Sequence, residues 1–200
     1  DNNDVTTNYA ITYVAGKLTI TSPDTVVVTI KGKTDTVEYD GKLHEVNGYE
    51  VVSISNTLYT AKDFGLAEGA TAHAEGTNAG DYYMHLTDKS FVNKNKNFAS
   101  VTFIVEDGKL TITKRGAGEK KVELTAADNT VEYDGQAHGA KLNAAGEIEV
   151  GTSYTITNLA EGHRVKTVTI DGSETNAGVY EGKLVPSGAI IVDKEGNNVT

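Results

Sequence analysis

Two copies of one short pattern contain the residues best suited to chemistry. The copies are Tyr39-Asp40-Gly41 with His44, and Tyr133-Asp134-Gly135 with His138. A carboxylate and an imidazole this close could form an acid–base pair or part of a metal site. Asp-Gly is also a common turn, in which the carboxylate accepts backbone N–H groups and the glycine takes a positive φ. Because no recognised metal-ligand spacing surrounds the pair, we interpret the pattern as a structural turn with the tyrosine packed beneath it.

A second pattern, Asn-Ala-Gly-x-Tyr, follows each copy of the first. Its members are Asn78, Gly80 and Tyr82, and then Asn176, Gly178 and Tyr180. The pattern resembles the tyrosine corner of immunoglobulin-like sandwiches, where a tyrosine hydroxyl bonds to backbone a few residues upstream. We therefore expect these six residues to shape corners, and we predict no catalytic, cofactor-binding or metal-binding residue in the chain.

The patterns recur in one order at one spacing. The first recurs after 94 residues (37 to 131), the second after 98 (77 to 175), and the run Gly-Lys-Leu-Thr-Ile-Thr after 92 (16 to 108). This spacing indicates a tandem repeat. We predict one repeat domain at residues 22–115 (unit 1) and another at 116–200 (unit 2). Residues 1–21 are predicted to be the tail hairpin of a preceding repeat, or the first strands of a permuted first domain.

Short alternating apolar segments separated by Gly, Asn and Asp predict an all-β protein. We expect two tandem immunoglobulin-like β-sandwich domains of about seven strands each. The alternative is a β-grasp-like α+β module. It would need a helix near residues 57–64, and unit 2 offers no equivalent of that segment.

Residues 8–21 (the leading segment) and 100–113 (the closing segment) correspond position by position. In the leading segment Tyr9, Ile11 and Tyr13 alternate before Ala15-Gly16, and in the closing segment Asp107-Gly108 separates two alternating runs. Both therefore predict a hairpin. The end of the chain, 195–200, resembles 1–6, so in this register unit 2 lacks a closing hairpin. An open sheet edge in unit 2 could then be filled by residues 5–21 of another copy.

Composition narrows the possible partners. The formal net charge is −10, which disfavours nucleic acid and anionic lipid because both are bound chiefly through clustered Lys and Arg. No apolar run approaches the length of a membrane span, so we expect no membrane insertion. The absence of cysteine excludes disulfides and thiolate chemistry. Neighbouring repeats of the same chain are the expected partners.

Three chemical interpretations remain as alternatives to a purely structural one. The chain contains none of the common hydrolase, phosphate-loop or zinc-protease motifs, so we expect no enzyme. Asp/Asn-rich loops at 1–4 and 193–198 could suggest calcium, but they lack an EF-hand pattern and are more typical of turns. Lys31, Lys33 or Lys121 could form an isopeptide bond with Asn or Asp if buried in an apolar core.

Taken together, these motifs resemble the MBG-type and YDG-type repeats of large bacterial cell-surface proteins. The matching segments are 39–41, 133–135, 80–82, 178–180 and 8–21, and the departures are Asp81, Val179 and Ser100-Val101. The resemblance implies a Gram-positive adhesin anchored to the cell wall, with these units as an extracellular stalk that projects a distal binding region. Alternatively, the repeats themselves bind a host glycan or a mucosal protein.

Overall fold

The computed structural model describes residues 6–23, 25–118 and 121–200, and this part of the chain is nearly all β. Its only helical segments are two single 3₁₀ turns, Thr6–Asn8 and Asp88–Ser90. The prediction of an all-β protein is therefore confirmed. Residues 57–63 form turns, not the helix that the β-grasp alternative would need. None of the described helical segments is long and apolar enough to cross a bilayer.

Unit 1 contains ten strands rather than about seven. They are β1 (Val26–Gly32), β2 (Thr34–Glu38), β3 (His44–Asn47), β4 (Tyr49–Ile54), β5 (Phe64–Leu66), β6 (His73–Gly76), β7 (Gly80–Tyr83), β8 (Phe91–Asn93), β9 (Val101–Glu106) and β10 (Lys109–Thr113). Two three-stranded sheets have the orders β4-β1-β9 and β2-β10-β7, and two further pairs are β3-β6 and β5-β8.

The closing segment is a single bent strand, not the hairpin that Asp107-Gly108 predicted. β9 runs parallel to β1, from Val26 opposite Val101 onward, and β10 runs parallel to β2, as far as Glu38 opposite Thr113. The first and last strands of unit 1 thus lie side by side along their whole length. Each crosses from one sheet to the other at the same point.

Glycine and aspartate produce the shared bend. A Cβ on Gly32 would collide with the backbone of Gly108, so the two strands cross at a distance that only glycine permits. The Asp107 carboxylate accepts backbone N–H bonds from His85 at 3.1 Å and Leu86 at 2.8 Å, which attaches the bend to the loop after β7. These contacts are absent from a free hairpin, so the local Asp-Gly signal does not decide the conformation.

The core of unit 1 lies between the bent strands and the β5–β8 pair. Val26, Val28 and Ile30 of β1 and Leu110 and Ile112 of β10 are buried almost completely. The other buried apolar residues of this cluster are Val46, Tyr59, Phe64, Ala74, Met84, Leu86, Phe91 and Phe98. Phe103 of β9 completes an aromatic group, with ring centroids 5.5 Å from Phe64 and 5.7 Å from Phe91.

Unit 2 has four strands, β11 (Glu123–Ala126), β12 (Tyr154–Thr157), β13 (Arg164–Asp171) and β14 (Val185–Val192), in its described residues 121–200. β11 pairs with β12 and β13 with β14, both antiparallel. Only Tyr154, Ala160 and Val192 are buried apolar residues in this part of the chain. Unit 2 is thus far less closed than unit 1. The immunoglobulin-like assignment of either unit remains a prediction.

The leading segment forms no strand. From residue 9 to residue 21 the chain has no regular structure, and its side chains are exposed. The hairpin expected within residues 1–21 is therefore not formed over the described residues 6–21; residues 1–5 lie outside them. The domain boundaries proposed from the repeats remain predictions.

Two glycine substitutions test the close crossing of the bent strands, one at the crossing and one in open space. A Cβ at Gly108 would lie 2.7 Å from the Lys33 carbonyl oxygen, whereas one at Gly16 would meet no atom within 4 Å. We expect Gly108→Ala to lower the unfolding free energy of unit 1 by about 1–3 kcal/mol. Gly16→Ala should change it by less than about 0.5 kcal/mol. Urea unfolding of both variants measures the difference, and equal effects would contradict the crossing.

Candidate functional sites: repeated corners and an open groove

The two Tyr-Asp-Gly turns have the same local geometry. In unit 1, Asp40 Oδ1 accepts the Lys42 backbone N–H at 2.9 Å and lies 2.8 Å from His44 Nε2. In unit 2, Asp134 Oδ1 lies 2.8 Å from both the Gln136 amide nitrogen and His138 Nε2. The glycines at 41 and 135 have φ of 81° and 78°. The carboxylate and imidazole of each motif therefore contact one another and their own turn.

Hydrogen bonding stabilises the ionised form of both aspartates. The Gln136 amide, followed by the His138 ring, lowers the pKa of Asp134 below 3.8. For Asp40, partial burial raises the pKa, but the Lys42 amide and the His44 ring outweigh it and the net shift is downward. A carboxylate with a lowered pKa is a poor proton carrier near neutral pH, so these groups suit turn stabilisation better than acid–base catalysis.

The tyrosines that precede the two turns differ in environment. Tyr39 packs against the core of unit 1, and its hydroxyl lies 2.9 Å from Nε2 of His163 in unit 2. Burial, followed by the charges of Asp193 and Asp40, raises the pKa of Tyr39. Tyr133 is 68% exposed. The expected packing beneath the turn is therefore not found at Tyr133. At Tyr39 the ring does pack against the core, and it also makes a contact with unit 2 that the sequence motif did not predict.

Further contacts connect the units around Tyr39. The Arg115 guanidinium donates to the carbonyl oxygen of Asn158 and, at 3.4 Å, to that of Tyr39. A Cβ on Gly41 would lie 2.5 Å from Cε1 of His163, so this glycine is required for close approach as well as for its positive φ. The end of β2 and the loop before β13 thus form the junction.

The two Asn-Ala-Gly-x-Tyr segments also close on themselves. The Tyr82 hydroxyl donates to the carbonyl oxygen of Asn78 at 2.8 Å, and the Tyr180 hydroxyl donates to that of Asn176 at 3.1 Å. Tyr82 is half-buried against the unit 1 core, whereas Tyr180 is exposed. In both units the motif therefore has the hydrogen bond expected of a tyrosine corner, from the tyrosine hydroxyl to backbone a few residues upstream.

Some of the strand pairs of unit 1 have counterparts in unit 2. The pair β11-β12 corresponds to β1-β4, and β13-β14 occupies the place of β5-β8. The bridge between His138 and Glu174 corresponds to the β3-β6 pair that begins with His44 and Gly76. The pairs without a counterpart among residues 121–200 are those that involve β9 or β10.

A groove of about 870 Å³ occupies the place of the missing strand. It is lined by β11, residues 127–133 and residues 173–184, the counterparts of the segments that pair with β9 and β10 in unit 1. Val131, in the groove wall, is 50% exposed, while its counterpart Val37 packs against the unit 1 core. The repeat register had indicated an open edge here, but not its shape.

Other chemical candidates from the sequence fit the structure less well. Lys31, Lys33 and Lys121 are all exposed, and Lys31 pairs with Glu106 at 2.6 Å. None of the three has the buried apolar setting that isopeptide formation needs, so that interpretation is not supported. The Asp193 carboxylate accepts bonds from the Asn197 backbone and side-chain amides and closes a turn. The loop at 1–4 lies outside the described residues.

One cluster was missed by sequence reasoning. Pairing of β3 with β6 brings Glu45 opposite Glu75, with His73 beside them, and one ligand atom from each lies within 4.8 Å of the others. His73 Nδ1 lies 2.7 Å from Asn47 Oδ1. Both carboxylates are exposed. Only the strand register could have revealed this group, because Glu45 is about thirty residues away from His73 and Glu75 in the sequence.

Comparisons with family models, curated proteins and solved structures find no match for this chain. The class of the protein therefore follows from its own geometry: an all-β chain in which two related units repeat the same two corner motifs.

The two corner tyrosines offer a graded test of the corner bond. Tyr82→Phe removes a half-buried hydrogen bond, and we expect it to lower the unfolding free energy of unit 1 by about 1 kcal/mol. Tyr180→Phe removes an exposed bond and should have a smaller effect on unit 2. Thermal and urea unfolding followed by tyrosine fluorescence measure both. A larger effect at Tyr180 would contradict the difference in burial.

The lowered pKa values of Asp40 and Asp134 predict sensitivity to acid. Their stabilising contribution is complete above the unfolded value of 3.8 and is lost as pH falls through the lower folded pKa. We expect stability to decline below about pH 4 and the double variant Asp40→Asn/Asp134→Asn to decline less steeply. Denaturant unfolding at a series of pH values measures this slope, and an unchanged slope in the double variant would contradict the assignment.

Proposed function

We propose that this protein forms part of the stalk of a bacterial surface adhesin, where serial β units act as a spacer that projects a distal binding region. The observation that carries the proposal is the closure of the repeated motifs on themselves. In both units the Asp and Tyr side chains bond to their own turns and corners. Polar residues that repeat because they shape corners suit a spacer better than a ligand site.

The junction between the units supports a spacer with a defined geometry. Tyr39 reaches His163, and Arg115 reaches the carbonyl oxygen of Asn158. Tyr133 occupies the position of Tyr39 in unit 2 and is exposed, so its ring is available to a following unit. A motif that turns the chain and also contacts the next unit propagates one orientation along an array.

The cellular setting is proposed from the sequence resemblance to MBG-type and YDG-type repeats. From that resemblance we propose that the chain lies outside the cell, attached to the wall of a Gram-positive bacterium. A net charge of −10 is compatible with this setting, because like charges keep an exposed array soluble and extended. We propose that each closed unit is an immunoglobulin-like sandwich, although the parallel pairs in unit 1 are additions to that plan.

The second candidate function is direct binding of a host glycan or a mucosal protein by the repeats. Tyr83 is exposed on β7, and the Lys109 ammonium lies 5.9 Å from the centre of its ring. An exposed aromatic face beside a cation can accept a sugar. Saturable binding by the intact chain on a glycan array, abolished by Tyr83→Ala, would favour this function over the spacer.

The spacer function predicts an extended shape that depends on the junction. Small-angle scattering of the intact chain at low concentration should give an elongated profile. Tyr39→Phe removes the bond to His163 and should broaden the distribution of distances between the units. Tyr133→Phe, at the exposed counterpart position, is the matched control and should leave the profile unchanged. A globular profile for the unmodified chain would contradict the spacer.

A further inference from the structure

We infer that the groove of unit 2 binds a strand with the sequence of the leading segment, in the register of the closing strand of unit 1, and that a second copy of the 200-residue chain can supply this strand. The leading segment would lie between β11 and residues 128–132 on one side and residues 178–181 on the other. This inference concerns assembly between copies. It does not depend on the stalk function.

The leading segment has the sequence of a closing strand. Residues 16–21 are identical to 108–113. Before them, Tyr9, Ile11 and Tyr13 stand where unit 1 has its inward-facing residues at 101, 103 and 105. The inward positions change from odd to even numbers across Gly16, as they do across Gly108 in the bent strand. The segment thus carries the pattern of the whole bent strand.

The same side chains are buried in unit 1 and exposed in the leading segment. Leu110 and Ile112 are 0% and 2% exposed between β2 and β7. Their counterparts Leu18 and Ile20 are 84% and 86% exposed. Binding in a groove that reproduces the surroundings of Leu110 and Ile112 would remove the apolar surface of Leu18 and Ile20 from water, which is favourable.

Unit 2 presents the matching acceptor. β11 pairs with β12 along one edge, while its counterpart β1 has β4 on one edge and β9 on the other. Its second edge therefore carries backbone N–H and C=O groups that an added parallel strand can satisfy. Residues 128–132 and 178–181 form no strand, although their counterparts β2 and β7 are both paired with β10.

The register of unit 1 predicts complementary contacts. In unit 1, Ile112 lies opposite Val37 and Lys109 lies opposite both Thr34 and Tyr83. Transferred to unit 2, this register places Ile20 opposite Val131, and Lys17 between Asp128 and Glu181. One apolar side chain thus meets an exposed apolar wall, and one cation lies between two carboxylates.

One position limits how closely the strand can approach. Ala126 stands where unit 1 has Gly32, and a Cβ at Gly32 would collide with Gly108. Gly16, the counterpart of Gly108, must therefore lie further from Ala126. We therefore expect the contact between copies to be looser at the bend than the contact within unit 1.

The tether of the leading segment favours a second copy over the same chain. Ser22 Oγ accepts the Ala99 backbone N–H at 2.9 Å, which holds the end of the segment near the start of β1. Unit 2 meets unit 1 at Tyr39, beyond the far end of β2. In the proposed register Thr21 lies beside Glu132 of unit 2. Within one chain, however, the start of β1 is separated from the junction with unit 2 by the whole bent strand, about 13 residues or on the order of 40 Å of chain.

Insertion between copies produces open chains. The donor segment precedes unit 1 and the acceptor groove belongs to unit 2, so the two surfaces of one molecule are different. Between copies of the 200-residue chain, such a heterologous contact leaves a free donor at one end of the assembly and a free groove at the other. The average mass should therefore increase continuously with protein concentration.

Sedimentation equilibrium of the intact 200-residue chain over a range of concentrations tests the inference. We expect reversible self-association, weakened on the order of 100-fold by Leu18→Asp/Ile20→Asp because two buried apolar contacts become charged. Both side chains are exposed in the free chain, so the variant should fold normally. A chain that is monomeric at every concentration, or a variant that associates like the parent, would overturn the inference.

Val14→Glu is the matched control. Val14 is 88% exposed, like Leu18 and Ile20, but its counterpart in the closing strand is the solvent-facing Glu106. Docking in the closing register therefore predicts unchanged association for this variant. If the segment associated only through nonspecific apolar contacts, Val14→Glu would weaken association as much as the double variant does. That result would also overturn the inference.

Binding in trans provides a second measurement. A synthetic peptide of residues 8–21 should bind the Leu18→Asp/Ile20→Asp chain, whose groove is intact and whose own segment cannot compete. It should also protect the backbone amides of β11 and residues 128–132 from hydrogen exchange. The same peptide with both aspartates should do neither. Protection located elsewhere, or equal binding of both peptides, would contradict the proposed site.

Discussion

The parallel pairing of the first and last strands of a unit is the contact on which the rest of unit 1 depends. β9 and β10 follow β1 and β2 through a common bend, and β10 joins β2 to β7. This pairing buries Leu110 and Ile112 and brings Phe103 against the aromatic group of the core. It joins segments about 75 residues apart, so the unit closes only when its final segment is in place.

Among the described residues of unit 2, no strand occupies the closing position. The antiparallel pairs β11-β12 and β13-β14 persist, as do the turn at Asp134 and the corner at Tyr180. The apolar core is reduced to three buried residues in the described part of the unit. The local hydrogen bonds are therefore present in both units, whereas the large core is found only where the closing strand contributes buried residues such as Leu110 and Ile112.

The motifs that first suggested chemistry have a double structural role. Each Asp–His pair stabilises a turn within six residues, and the preceding tyrosine projects away from that turn. The Tyr39 ring contacts His163 of unit 2, whereas the Tyr133 ring is exposed. The residue that precedes the turn in unit 1 is therefore also a contact between the two units.

The sequence alone determined the repeat, the all-β class and the two kinds of corner. The corners follow from bonds between residues two to four positions apart, such as Asp40 with Lys42 and Tyr82 with Asn78, so the local pattern is sufficient for them. The repeat and the all-β class follow from recurrence and alternation along the sequence. Tertiary structure decided the rest. Asp107-Gly108 forms a bend because β1 and β2 provide a template along both strands, and Tyr39 finds a partner 124 residues away. Neither the bend nor the partner of Tyr39 can be predicted from a local sequence pattern, because each depends on a surface that distant segments form together.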